Sequence, residues 1–184
     1  TGGMEKKWVI AQPDQRLVRR LCRRLGCHPV TAAVLVNRKM DSDEKAARFL
    51  NPSLADIESL FALKDLDTAV LRLAGAVCEN QRILVFGDYD VDGITATTIM
   101  VDFLGRAGAD VHFHIPHRID EGYGLKPEHI DEVAMPLGAD LIVTVDCGSA
   151  GRPAVARAAQ AGIDVMVTDH LDIDDIPPAC AVVN

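Results

Sequence analysis

The chain has 184 residues, of which 48% are hydrophobic and 25% charged, proportions that suit one ordinary globular domain with room for a small appended segment. Nineteen Lys and Arg against 27 Asp and Glu leave a formal net charge of −8, which excludes a sequence-wide basic coat of the kind that grips duplex DNA by charge alone. A nucleic-acid enzyme stays open, because metal ions and a few local arginines can carry phosphate recognition.

In chain order, Thr1-Gly2-Gly3 ahead of Met4 reads as an added leader and carries no fold information. Residues from about 12 to 80 read as helical. Leu17, Leu21 and Leu25 form one stripe among the basic cluster Arg16 to Arg24, a pattern that predicts an amphipathic helix with a solvated basic face. Ser42 with Lys45, Phe49 and Leu50 predicts a capped short helix that ends before Asn51-Pro52. A further helix is predicted over 67–79, through Val70, Leu71, Leu73, Ala74 and Val77. The pattern then changes. Apolar runs at 83–86, 111–115, 141–145, 165–168 and 181–183 alternate with helical stretches at 94–107, 127–135 and 151–161. The runs are short and mostly apolar, as expected of strands covered on both faces. Their alternation with helices predicts a five-stranded parallel sheet flanked by helices, of the α/β class, with right-handed crossovers. The expected organisation is thus a helical N-terminal region over 4–80 and an α/β core over 81–184. No internal repeat or low-complexity linker interrupts it, and because Asn184 comes directly after a strand-like run the chain is expected to stop inside a larger protein.

No apolar run is long enough to span a bilayer, and the start lacks a signal-peptide core; no membrane partner is expected. The five cysteines (22, 27, 78, 147 and 180) are odd in number and form no Cys-x-x-Cys pair. That predicts a reducing, cytoplasmic setting and argues against structural zinc.

The chemistry gathers where the strands end. Gly87-Asp88-Tyr89-Asp90-Val91-Asp92-Gly93 places three carboxylates in five positions. Like charges this close repel, and a divalent cation among them relieves the cost. Asp90 and Asp92, two apart on an extended backbone, point to one side and can share an ion. The third strand ends in Asp146-Cys147-Gly148 and the fourth in Thr168-Asp169-His170. In open parallel sheets ligands bind at the carboxyl ends of strands, so these groups are expected on one rim. Taken singly, each aspartate is more simply a helix cap or a turn former; their joint placement favours a metal site. Aspartates with one histidine suit Mn²⁺ or Mg²⁺ better than structural zinc, and a central Asp146 can bridge two ions roughly 3.5–4 Å apart.

Ile115-Pro116-His117-Arg118 follows the second strand and precedes Glu121-Gly122-Tyr123-Gly124. The planar fork of Arg118 suits a phosphate oxygen pair, and the Gly-Tyr-Gly loop offers one aromatic face to a base. The bland reading of this loop is a surface turn with an Arg118–Glu121 ion pair. His112 and His114 share a strand face, but a histidine-rich strand without neighbouring acids is expected to be structural. Cys147 is expected to be a small buried filler rather than a nucleophile.

These motifs, taken in order with Phe49-Leu50-Asn51-Pro52 ahead of them and Pro177-Pro178 to Asn184 behind, resemble the DHH phosphoesterases, and within them the RecJ exonucleases. The resemblance implies a Mn²⁺- or Mg²⁺-dependent enzyme that removes nucleotides from single-stranded DNA, 5′ to 3′, in repair and recombination. It implies Asp90, Asp92, Asp146 and His170 as metal ligands with Asp88 beside them, and Arg118 and His117 on substrate phosphate. Single-stranded DNA, a single-strand-binding protein and a helicase are the implied partners. The sequence departs from the family at Leu171, where Asp-His-His is expected, and mildly at Ser149-Ala150-Gly151-Arg152-Pro153. Leucine can neither bond a phosphate nor move a proton, so metal binding through His170 is expected to survive while turnover is reduced or lost. The family also draws a further metal-binding aspartate and a second lobe from positions that would follow Asn184. Two other readings remain: a non-catalytic DNA-binding or replication scaffold, supported by Leu171, and a phosphoesterase on short oligonucleotides.

Overall fold

The computed structural model describes residues 9–57, 59–171 and 175–184; the leader through Met4 lies outside them. Contacts divide the chain into two compact units, residues 1–58 and 59–184.

The first unit holds three helices: α1 (Gln15–Leu25), α2 (Pro29–Asn37) and α3 (Asp43–Leu50). Asp14 caps α1 by accepting from the Arg16 N–H, and Ser42 caps α3 by accepting from the Lys45 N–H, each cap contributing about 1 kcal/mol. Val18, Leu21, Ala32, Leu35 and Ala46 form the small core. The basic face of α1 points outward, and Arg20 and Arg24 both pair with Asp43, at 3.1 and 3.3 Å. The solvated-face reading therefore holds.

The second unit is a three-layer α/β arrangement. Its elements are α4 (Leu66–Cys78), β1 (Arg82–Gly87), α5 (Val91–Arg106), β2 (Asp110–His114), a composite helix, β3 (Leu141–Val145), α8 (Arg152–Gln160), β4 (Asp164–Thr168) and β5 (Ala181–Val183). The composite helix is α6 (Pro127–His129), a π turn over Ile130–Ala134 and α7 (Met135–Leu137); Pro136 lacks the N–H that a regular α turn requires there. All pairings are parallel, in the order β2-β1-β3-β4-β5. Strand alternation sends Ile83, Val85, Leu141 and Val143 to the face covered by α4 and α5. Leu84, Phe86, Ile142 and Val167 pack on the opposite face against the composite helix and α8. Helix α4, expected over 67–79, packs against β5 in the second compact unit.

Two expectations are corrected. β2 is an edge strand and is not covered on both faces: Phe113 is 62% exposed, and among the described residues β1 alone pairs with it. Helix α5 begins at Val91, not at Ile94, with Asp90 as its cap accepting from the Gly93 N–H at 2.9 Å. Asp90 keeps an extended backbone, but Asp92 is already in the first helical turn, so the two do not share one extended segment and their side chains are not bound to point to one side.

The sheet order reverses between β1 and β3. From β1 the chain goes outward to β2, then crosses to the other side of β1 to form β3. Such a switch leaves a crevice at the strand carboxyl ends. Entry into α5 is tight. A Cβ on Gly93 would lie 2.4 Å from the Asp88 carbonyl oxygen, and one on Gly87 2.0 Å from Thr97 Oγ1. Gly105, farther along α5, has its nearest neighbour at 4.0 Å. Gly93→Ala is expected to lower stability by about 1–3 kcal/mol through overpacking, while Gly105→Ala raises it by roughly 0.5–1 kcal/mol through helix propensity. Urea denaturation of both variants measures the contrast, and equal effects would show that α5 does not rest on the Asp88 backbone.

Candidate metal centre

Gly87 pairs with Val145, and Val145 with Thr168. One residue farther, Asp88, Asp146 and Asp169 come off three adjacent strands at the same level, on the β1/β3 crevice. The expected shared rim is present.

Asp88 is 4% exposed, and its Oδ1 has no hydrogen-bond partner. An unpaired buried acceptor costs about 1–3 kcal/mol, and more when charged. Asp146 has φ +61°, a left-handed conformation that Asp tolerates but that still costs roughly 1 kcal/mol or more. The bend turns its carboxylate back toward β1 and β4. Asp146 Oδ1 lies 3.1 Å from His170 Nε2. Burial first, then the charge of Asp90, hold the Asp146 carboxyl above the usual range, and His170 opposes the shift. Asp169 is fixed by two backbone donors: the Ser149 N–H to Oδ2 at 3.0 Å and the His170 N–H to Oδ1 at 2.7 Å.

At this rim, among the described residues, ligand atoms fall into two groups, each within 4.8 Å: Asp88, Asp90 and Asp146, and Asp146, Asp169 and His170. Asp146 is common to both. Hard oxygen donors, one imidazole, an orphaned buried carboxylate oxygen and a carboxyl that resists ionisation together fit a divalent cation of the Mn²⁺ or Mg²⁺ kind. Asp92 stands in neither group. It lines an open cavity of about 690 Å³ together with Asp146, Asp169 and His170, opposite the apolar Ile99 and Phe103 of α5.

Beside this rim, the Arg118 guanidinium carbon sits 5.3 Å from the centre of the Tyr89 ring, and Tyr123 meets Tyr89 edge-on at 6.5 Å. Arg118 does not pair with Glu121, whose carboxylate is taken by the His117 N–H, His114 and His129. His117 is exposed and contacts Asp120 at 2.7 Å. Burial, then the Asp169 charge, push the Tyr123 hydroxyl up to about 12, so it stays a neutral donor. Cys147 is fully buried, and burial drives its thiol far up; a filler it is. The histidine strand does have acidic neighbours, since His112 pairs with Asp110 and His114 with Glu121. Sequence reasoning missed Tyr89, whose signal was its place between Asp88 and Asp90, and His129. The Lys126-to-His129 spacing of a helix cap could have flagged the latter.

Residues 82–184 match the DHH family, N-terminal domain. The chain belongs to the DHH family. It is RecJ-like within it: the single-stranded-DNA-specific exonuclease RecJ of Bacillus subtilis is 36% identical over 179 residues, 97% of this chain and 23% of that relative. A crystal structure of exonuclease RecJ bound to manganese is similar with TM-score 0.63 and 41% identity, over 68% of this chain and 32% of that one. RecJ from Thermus thermophilus in complex with Mn²⁺ gives TM-score 0.59 and 32% identity, over 94% of this chain and 24% of the other. The chain spans about a quarter of the length of the curated relatives it matches. No helix among the described residues is long and apolar enough to cross a membrane.

Because Asp146 is shared by both ligand groups, Asp146→Ala is expected to abolish divalent-ion binding in titration calorimetry. Asp102→Ala, which removes only the surface partner of Arg106, should leave it intact. Undiminished ion affinity in the Asp146 variant removes that residue from the site.

Proposed function

We propose that the chain forms the metal-binding core of an exonuclease that removes nucleotides from single-stranded DNA, 5′ to 3′, in repair and recombination. Asp146 as the common member of two ligand groups at the β1/β3 crevice is the observation that carries this reading. The RecJ relatives, single-stranded-DNA-specific exonucleases, supply the substrate. Asp90, Asp92, Asp146 and His170 would hold two Mn²⁺ or Mg²⁺ ions, with Asp88 beside them and Asp169 orienting His170. Asp92, exposed on the first turn of α5, would have to rotate its side chain to join them. Such ions supply the positive charge that polarises a phosphoryl oxygen and acidifies water.

The remaining tasks fall to the chain's own side chains. Arg118, held over the Tyr89 ring, offers its guanidinium to a strand phosphate, and exposed His117 approaches the same backbone. Tyr123 offers a ring face to a base and a hydroxyl that stays protonated at neutral pH. Polarity of cleavage, a single-strand-binding protein and a helicase as partners, and a cytoplasmic site of action follow from the family likeness.

Leu171 favours a second reading, a DNA-binding or replication scaffold that has kept the fold. It stands 41% exposed directly after His170, where the family places a second histidine. The full-length polypeptide is expected to release nucleotides from a labelled single strand in a manganese-dependent manner, slowly, with Leu171→His raising turnover about tenfold or more. No release by either form, with manganese demonstrably bound, rejects the nuclease and leaves the scaffold.

A further inference from the structure

Outside the rim, a second cluster has the spacing of a metal site: His114, Glu121 and His129 bring ligand atoms within 4.8 Å of one another. Its hydrogen bonds commit it otherwise. The His129 Nδ1 accepts from the Lys126 N–H at 3.0 Å, so the ring proton of neutral His129 is on Nε2. That nitrogen lies 3.3 Å from Glu121 Oε1 and donates to it. His129 is 5% exposed, and burial lowers its pKa, which keeps it neutral. An ion on Nε2 would have to move the proton to Nδ1, where it would face the Lys126 N–H. The cluster is built to hold a carboxylate rather than a cation.

We propose that Glu121 is the positioning residue for Arg118 and Tyr123, a role that rests on the nuclease reading above. Its half-buried carboxylate gathers three parts of the structure. Oε2 accepts from the His117 backbone N–H at 2.5 Å, one residue before Arg118. Oε1 meets His114 Nε2 at 3.0 Å, at the end of β2, and His129 Nε2 at the start of the composite helix. The Glu121 N–H returns to the His117 carbonyl at 2.9 Å, and Lys126 Nζ donates to the Glu121 carbonyl. Both imidazoles lie on Phe86, with centroids 5.5 and 4.9 Å from its ring. Phe86, on β1, is two residues ahead of Asp88, which follows that strand directly. The turn at 117–121 is thereby tied to the strand that delivers the rim carboxylates. At the far side of that turn Arg118 and Tyr123 converge on Tyr89, between Asp88 and Asp90. One carboxylate thus sets the distance from the phosphate-gripping arginine to the acids.

Glu121→Gln is the test, because it keeps the shape but turns an acceptor oxygen into a donor facing donors. In the full-length polypeptide, KM for single-stranded DNA is expected to rise about tenfold, with kcat changed less than about twofold. Manganese stoichiometry should be unchanged. Hydrogen exchange should quicken at His117 to Tyr123 and stay as it was in β1, β3 and β4. Glu121→Asp, which keeps the charge but shortens the reach, should fall between. Unaltered exchange in the loop overturns the proposal, as does exchange quickened throughout the sheet, or loss of one bound ion in Glu121→Gln. If the unsubstituted protein cleaves no single strand, the nuclease reading falls, and the exchange pattern alone still decides whether Glu121 sets the loop.

Discussion

Carboxylates from three neighbouring strands are brought to one level at the point where the sheet order reverses, and most of the second unit serves that convergence. Asp88, Asp146 and Asp169 are placed by the register of β1, β3 and β4, not by loops that could relax away from one another. Rigid strands make the repulsion permanent. Asp88 Oδ1 has no partner, Asp146 adopts a left-handed backbone, and its carboxyl resists ionisation. The first two are local costs of about 1 kcal/mol or more each, and the third acts in the same sense. In a fold whose net stability is on the order of 5–15 kcal/mol, such costs at one point call for a compensating charge.

The scaffold that fixes the acids also explains several choices that look unrelated in sequence. Gly87 and Gly93 let α5 start against the Asp88 backbone, which makes Asp90 a helix cap and a rim acid at once. The cap restrains one side-chain oxygen through the Gly93 N–H and leaves the other toward Asp146. Phe86 and the two histidines on it form the floor beneath the 117–121 turn. Acid rim and arginine loop are consequently two ends of one packed assembly around β1.

Much of this was legible in the residues, for reasons that differ by element. Strands β3 and β5 coincide with their apolar runs at both ends, since little but burial shaped those sequences. The rim followed from parallel topology once three runs were seen to end in acids. Helix α5 started earlier than its apolar pattern suggested, because the carboxylates that signalled a metal site concealed a cap. β2 alternates polar and apolar residues as an edge strand should, yet its hydrophobic members made it look covered. The role of Glu121 was hidden for a different reason. Arg118 is three residues away and looks like its partner, but the acid's donors come from a backbone amide, a strand and a helix that only the folded chain brings together.

The cavity over the rim is acidic on one wall and apolar on the other, where Ile99 and Phe103 of α5 stand 70% and 66% exposed. An apolar wall lowers the local dielectric, and the lower dielectric strengthens repulsion among the acids as well as their attraction for a cation. Burial, then the charge of Asp90, hold the Asp146 carboxyl up in the same sense. With a folded pKa above the unfolded one, that group favours folding at low pH, and the contribution is lost as pH rises through the folded value. Protons and a divalent cation would therefore compete for the same carboxylate: the environment that makes ionised Asp146 unfavourable is the one that would give a bound cation most to relieve. Stability of the rim and the affinity it would have for a cation move in opposite directions with pH, because both are set by the charge density that β1, β3 and β4 impose.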